Sequence, residues 1–150
     1  MKQYECSIEI AAPIERVFAL CTDFEHLPQF IPTIIRVEMV TPGPTAVGTQ
    51  FRETRRMFHR EATEVMTVTS LTPNREVSLT ATSCGVRYDS QFLFEPDGSA
   101  TKATVKIGIT AHTVYAKIIG RLMSFPMKGM MVKMLRQDLE CVRKRAEAQS

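Results

Sequence analysis

Val86-Arg87-Tyr88-Asp89-Ser90-Gln91-Phe92-Leu93-Phe94-Glu95 alternates between two kinds of side chain. Val86, Tyr88, Ser90, Phe92 and Phe94 fall on one face, and Arg87, Asp89, Gln91 and Glu95 on the other. This is the period of a strand with one dry face and one wet face. Beyond the turn chemistry of Pro96-Asp97-Gly98 the pattern repeats, with Val105, Ile107 and Ile109 opposite Thr104, Lys106 and Thr110. Upstream, Thr41-Pro42-Gly43-Pro44, Thr72-Pro73-Asn74 and Cys84-Gly85 carry the same punctuation. Between these turns the sequence predicts strands near 34–41, 49–57, 60–71, 76–83, 86–95 and 101–111. Connections this short specify an antiparallel meander.

The flanks differ. Tyr4 to Ile10 alternates as another strand. Ala12-Pro13 opens a helix, with Pro13 in the first turn, Glu15 at the positive dipole end, and Ile14, Val17, Phe18 and Cys21 facing inward. Asp23 is placed to cap a second short helix through Phe24, Leu27 and Phe30, limited by Pro28 and Pro32. The last third reads as helix: Val114 to Phe125, a break or kink at Pro126, then Met127 to about Ala146. In that final piece Met127, Met130, Met131, Met134, Leu135, Leu139 and Val142 recur at helical spacing on one broad face. The class is α+β, a curved antiparallel sheet closing on a C-terminal helix.

Composition sets the outer bounds. At 150 residues, 44% hydrophobic and 23% charged with a net charge of +3, the chain reads as one globular domain, 1–150. No apolar run approaches the ~18 residues of a membrane span, and the N-terminus carries no signal-peptide pattern. Cys6, Cys21, Cys84 and Cys141 form no C-x-x-C pair and read as free, mostly buried thiols of a cytoplasmic protein. His26, His59 and His112 stand at no metal-ligand spacing from a cysteine, so no metal is expected. The seven glycines spell no phosphate-cradling motif, and no nucleotide cofactor is expected.

Ile8-Glu9-Ile10-Ala11-Ala12-Pro13-Ile14-Glu15-Arg16-Val17-Phe18, Asp23-Phe24-Glu25-His26-Leu27-Pro28, Val37-Glu38 and Val47-Gly48-Thr49-Gln50-Phe51 precede the meander and the long helix. In these residues and this order the whole chain resembles the START-like, or SRPBCC, superfamily. It is most similar to the polyketide cyclase/dehydrase and lipid-transport branch. The resemblance implies the helix-grip fold shared with the birch-pollen allergen family: a seven-stranded antiparallel sheet wrapped around a long C-terminal helix, with two short helices between the first two strands. It further implies a deep apolar cavity between sheet and helix that binds a hydrophobic small molecule or lipid. Some members catalyse cyclisation, dehydration or hydrolysis there. The motifs carrying the resemblance are structural, and none is catalytic.

Strand parity places Phe51, Glu53, Arg55 and Met57 on one face. Two readings are open for the charged pair. In the cavity, Arg55 would clamp an anionic group and Glu53 would act as a base. On a solvated strand, or after a bulge that reverses parity, both would join Arg52 and Arg56 at the surface. Tyr88 and Ser90 are placed to fix the polar end of a ligand, or to be satisfied within the core. Phe92 and Ile107 with Met127, Met130, Met131 and Met134 make the apolar lining, thioethers being adaptable around varied ligands or as core filler. The three histidines read as surface or capping residues. Basic residues Lys133, Arg136, Arg143, Lys144 and Arg145 suit the end of the last helix, where Glu140 can pair with Lys144, and permit transient membrane contact. No nucleic-acid partner is expected, since no aromatic-interleaved basic motif is present. The expected state is monomer or homodimer.

Overall fold

The computed structural model describes residues 2–57, 59–122 and 124–148, without the side chains of residues 57, 119–122 and 124–127. Seven strands form the sheet: β1 (Lys2–Ile10), β2 (Ile34–Met39), β3 (Gln50–Met57), β4 (Arg60–Thr72), β5 (Glu76–Ser83), β6 (Val86–Asp97) and β7 (Ala100–Ala111). Their order is β1-β7-β6-β5-β4-β3-β2, and every neighbouring pair is antiparallel. Helix α1 (Ile14–Thr22) and a 3-10 helix (Phe24–Gln29) join the two edge strands, and α2 (Val114–Leu122) and α3 (Ser124–Ala148) follow the sheet. This is the seven-stranded helix-grip arrangement that the sequence predicts.

Local chemistry accounts for the boundaries. Pro13 sits at the N-cap of α1 rather than inside its first turn. Asp23 stands at the N-cap of the 3-10 helix but makes no capping bond, because its carboxylate is taken by the His26 ring. α2 is described to Leu122 and α3 from Ser124, Met123 lies outside the described residues, and the backbone is helical at Pro126, where a break or kink was expected.

The core lies between the sheet's inner face and α3. β1 contributes Tyr4, Cys6, Ile8 and Ile10, all buried, as its alternation requires. From α3 come Met131, Leu135, Leu139, Val142 and Ala146. Phe24 of the 3-10 helix stacks on Phe51 of β3 at 4.4 Å, and Phe18 of α1 meets Phe94 of β6 edge-on at 5.5 Å. The far end of α3 is tied to the start of the chain, where Arg16 Nη1 donates to the Ala146 carbonyl and Ala11 N to Glu147 Oε2. Glu140 pairs with Arg143 one turn on, not with Lys144. Among the described residues no helix is long and apolar enough to cross a membrane.

The cysteines are all free, but Cys84 is exposed in the β5–β6 turn, and only Cys6 is fully buried. Cys84 and Gly85 both take positive φ (52° and 75°), the backbone of a two-residue hairpin loop. A Cβ at Gly85 would lie 2.6 Å from Thr113 Cγ2, and Thr113 Oγ1 accepts a bond from Ala116 N at the start of α2. Gly85→Ala is therefore expected to cost about 1–2 kcal/mol, from left-handed strain plus displacement of that cap. Denaturant unfolding measures it, and an unchanged midpoint would show that Thr113 yields freely.

Candidate functional site

β3 pairs with β4 without a register shift from Gln50 to Met57, so its parity is unbroken. The irregularity at this edge of the sheet lies in β2, between Ile34 and Arg36. Phe51, Glu53 and Arg55 therefore share the inner face, while Arg52 and Arg56 point outward and are exposed. The side chains of Glu53 and Arg55 are only 15% and 17% exposed, which decides between the two placements open in the sequence. A charge so enclosed requires partners. Arg55 Nε donates to Glu53 Oε1 at 3.0 Å, and Arg55 Nη1 donates to Asp138 Oδ2 of α3 at 2.7 Å.

This cluster forms the polar part of a pocket between the sheet and α3, with about 590 Å³ of empty space including its open mouth. Phe51, Leu79, Phe92 and Val105 line it from the sheet, and Leu135, Asp138, Leu139 and Val142 from α3. Cys21 of α1 and the segment Phe24, Leu27, Ile31 and Ile34 close another side. Of the described lining residues, only Glu53, Arg55 and Asp138 carry charge.

Burial pulls the Arg55 pKa down, but the charges of Glu53 and Asp138 and their hydrogen bonds more than offset this, and the net direction is up. The guanidinium is thus permanently charged. Glu64 stands directly opposite Glu53 across the β3–β4 ladder, and its pKa is raised by burial and then by the Glu53 charge, with Arg55 opposing. Tyr88 is raised by burial and next by Glu64. Burial pushes the Cys21 thiol up to about 12, leaving it a neutral wall of the pocket.

Of the residues singled out in the sequence, Phe51, Glu53, Arg55 and Phe92 meet in this pocket. Tyr88, Ser90 and Ile107 are half-buried on the same sheet face as Phe92, with Ser90 paired to Ile107, but lie outside this lining. Met131 is buried in the core and Met134 packs beside it. Met130 is 46% exposed, so the expectation that it lines the cavity needs correcting. At about 100° per residue the buried stripe of α3 centres near Leu135, and Met130 lies roughly 140° from that centre. The Met127 and Met123 side chains lie outside the described residues.

Asp138 and Glu64 were not singled out from the sequence. Asp138 had a signal: it falls between Leu135 and Val142 on the buried stripe, where a carboxylate needs a reason. Glu64 had none before the register of β3 and β4 was known. The histidines remain apart. His59 has positive φ in the β3–β4 turn, and His112 follows β7, its backbone N–H donating to the Gly85 carbonyl. His26 has a carboxylate partner invisible as such in the sequence, its Nδ1 lying 2.8 Å from Asp23 on the surface. Among the described residues no cluster of three or more potential metal ligands exists.

A six-stranded meander, β2 to β7, joined by β1 alongside β7 and gripping a C-terminal helix, with a pocket between them, defines a helix-grip protein of the START-like kind. The sequence profile of the family described as polyketide cyclase / dehydrase and lipid transport matches residues 1–147, and the chain belongs to that family. No curated protein matches it. Among solved structures it is similar to a protein from Thermus thermophilus, at 18% identity and a TM-score of 0.83 with 99% of each chain covered. A START superfamily protein from Mycobacterium smegmatis is similar at 17% identity and a TM-score of 0.80, again over 99% of each chain. The ZhuI aromatase/cyclase from Streptomyces sp. R1128 is similar at 18% identity and a TM-score of 0.79, covering 97% of this chain and 93% of that one. At these identities the likeness is one of fold.

Two outcomes follow for the charged groups. Arg55→Met leaves two enclosed carboxylates facing each other and is expected to cost about 2–4 kcal/mol in denaturant unfolding. Adding Glu53→Gln and Asp138→Asn should recover most of that loss, whereas equal stability of the single variant and wild type would place the cluster in open water. His26 is expected to titrate above its ordinary 6.5, through its hydrogen bond with the Asp23 carboxylate and that carboxylate's charge. Its raised pKa stabilises the fold below about pH 6.5, an effect lost as pH rises through the folded-state value. NMR titration of the ring should show the shift abolished in Asp23→Asn, and an identical midpoint in that variant would refute the pairing.

Proposed function

We propose that this protein binds a hydrophobic small molecule or lipid in the pocket between the sheet and α3, as a carrier. The observation behind this reading is the lining: among the described residues it consists of aromatic and aliphatic side chains with one charged cluster, Glu53–Arg55–Asp138. Burying a ligand's apolar surface yields about 25 cal/mol per Å², and one cluster of polar groups fixes its orientation. The family's description, which includes lipid transport, supports the same reading.

A second reading, a cyclase or dehydratase acting on a ligand held in the same cavity, draws on Glu64 and Tyr88, which stand on the inner sheet face beside the described lining rather than in it. A half-buried carboxyl whose pKa is raised, set on the same sheet face as a tyrosine hydroxyl, suits proton transfer. The family's cyclase and dehydrase members and the similarity to an aromatase/cyclase agree with it. Conversion of a poly-β-ketone by the wild type, lost in Glu64→Gln with ligand binding retained, would select the enzyme over the carrier.

The carrier reading is tested with a neutral fluorescent probe, N-phenyl-1-naphthylamine, and displacement by fatty alcohols, sterols, isoprenoids and aromatic polyketides. Saturable one-to-one binding is expected. Leu135→Trp, which fills the pocket from α3 at a cost of about 1–3 kcal/mol in stability, should weaken it at least tenfold. Undiminished binding in a folded Leu135→Trp protein, or no saturable binding of any compound, would reject this pocket as the ligand site.

A further inference from the structure

The polar end of the pocket holds two carboxylates and one guanidinium. With Glu53 and Asp138 ionised, the three side chains sum to a formal charge of −1, and Arg55 is the only cation among the described lining residues. Glu64, opposite Glu53 on β4, adds acidic character on the same face. The clamp expected of a lone Arg55 is therefore absent, because its Nε and Nη1 are already committed to carboxylates within the protein. Glu53 uses Oε1 and Asp138 uses Oδ2 for those bonds, so each retains a second carboxylate oxygen without a partner among the described residues.

From this arrangement we infer that the pocket selects amphiphiles whose head group donates hydrogen bonds and carries no negative charge, such as hydroxyls, phenols or amines, and rejects carboxylates. The inference rests on the pocket being the binding site, and it narrows the ligand class within that site. Ionised carboxylates only accept hydrogen bonds, so their free oxygens are complementary to donor heads. Arg55 keeps N–H groups that an acceptor could meet, so hydrogen bonding alone does not discriminate. Charge does: an anionic head would enter a poorly hydrated site that already has an unbalanced negative charge. The raised pKa of Glu64 reports the same condition, with burial and the Glu53 charge both acting against further ionisation.

A chain-matched series separates this inference from the pocket reading. Decylamine, 1-decanol and decanoate present one tail and three heads, and each is titrated against bound N-phenyl-1-naphthylamine at pH 7.5. The amine and the alcohol are expected to displace the probe at least tenfold more effectively than decanoate. In Glu53→Gln/Asp138→Asn, which leaves Arg55 as a net positive charge, decanoate should become the best of the three. Saturable probe binding with decanoate equal to or better than decanol in the wild type would overturn the inference while leaving the pocket as the binding site. An unchanged order in the folded double variant would also overturn it. A probe that fails to saturate would remove the pocket reading and this inference with it. Should the double variant not fold, the wild-type series decides.

Discussion

Arg55 has one guanidinium to share between carboxylates from two elements, Glu53 on its own strand and Asp138 on α3. Neither an enclosed guanidinium nor an enclosed carboxylate is tolerable alone, so the strand and the helix are obliged to present their charges at one point. That requirement fixes which way β3 faces and how α3 is rotated and seated along it. A slip of one residue in β3 would turn Arg55 outward and leave Asp138 unpaired against the sheet. Apolar packing supplies most of the favourable free energy in such an interface, but it is non-directional. The charged cluster adds a condition that few alternative packings satisfy.

Much of the fold was legible because it is written in short periods. Alternation over Tyr4–Ile10, Val86–Glu95 and Val105–Ile109, with Gly, Pro and Asn between the segments, states strand, face and turn locally. The site was legible only where parity sufficed. Phe51, Glu53, Arg55 and Phe92 could be placed on one face of their strands, yet which face was inner depended on β3 being free of a bulge, and that is settled by its pairing with β4. Glu64 acquires meaning only through the same pairing. On α3 the methionines suggested a broad face starting at Met127, whereas the buried stripe runs through Met131, Leu135, Leu139 and Val142. Met130 is thereby left at the surface. Asp138 was passed over because one acidic residue in a helix rich in charge resembles its solvated neighbours.

The electrostatic character of the pocket is a property of the set and could not be assigned to Arg55 by itself. Alone on an apolar face, an arginine reads as an anion site; between two carboxylates it becomes a structural cation in a site of opposite sign. Membership of a family whose description spans cyclases, dehydrases and lipid transport leaves room for either use of the cavity. The chemistry of the polar end then bears on which ligands are admitted, and Glu64 and Tyr88 bear on whether anything is done to them.

Methyl-resolved NMR during titration with a neutral apolar probe locates the ligand most directly. The account expects saturable shifts in Leu79, Val105, Leu135, Leu139 and Val142, which line the pocket, with Val40, Val47 and Val65 on the exposed surface unmoved. Shifts confined to the exposed Val114 and Ile118 of α2, with the pocket methyls silent, would contradict it by placing the apolar ligand on the outside of the protein.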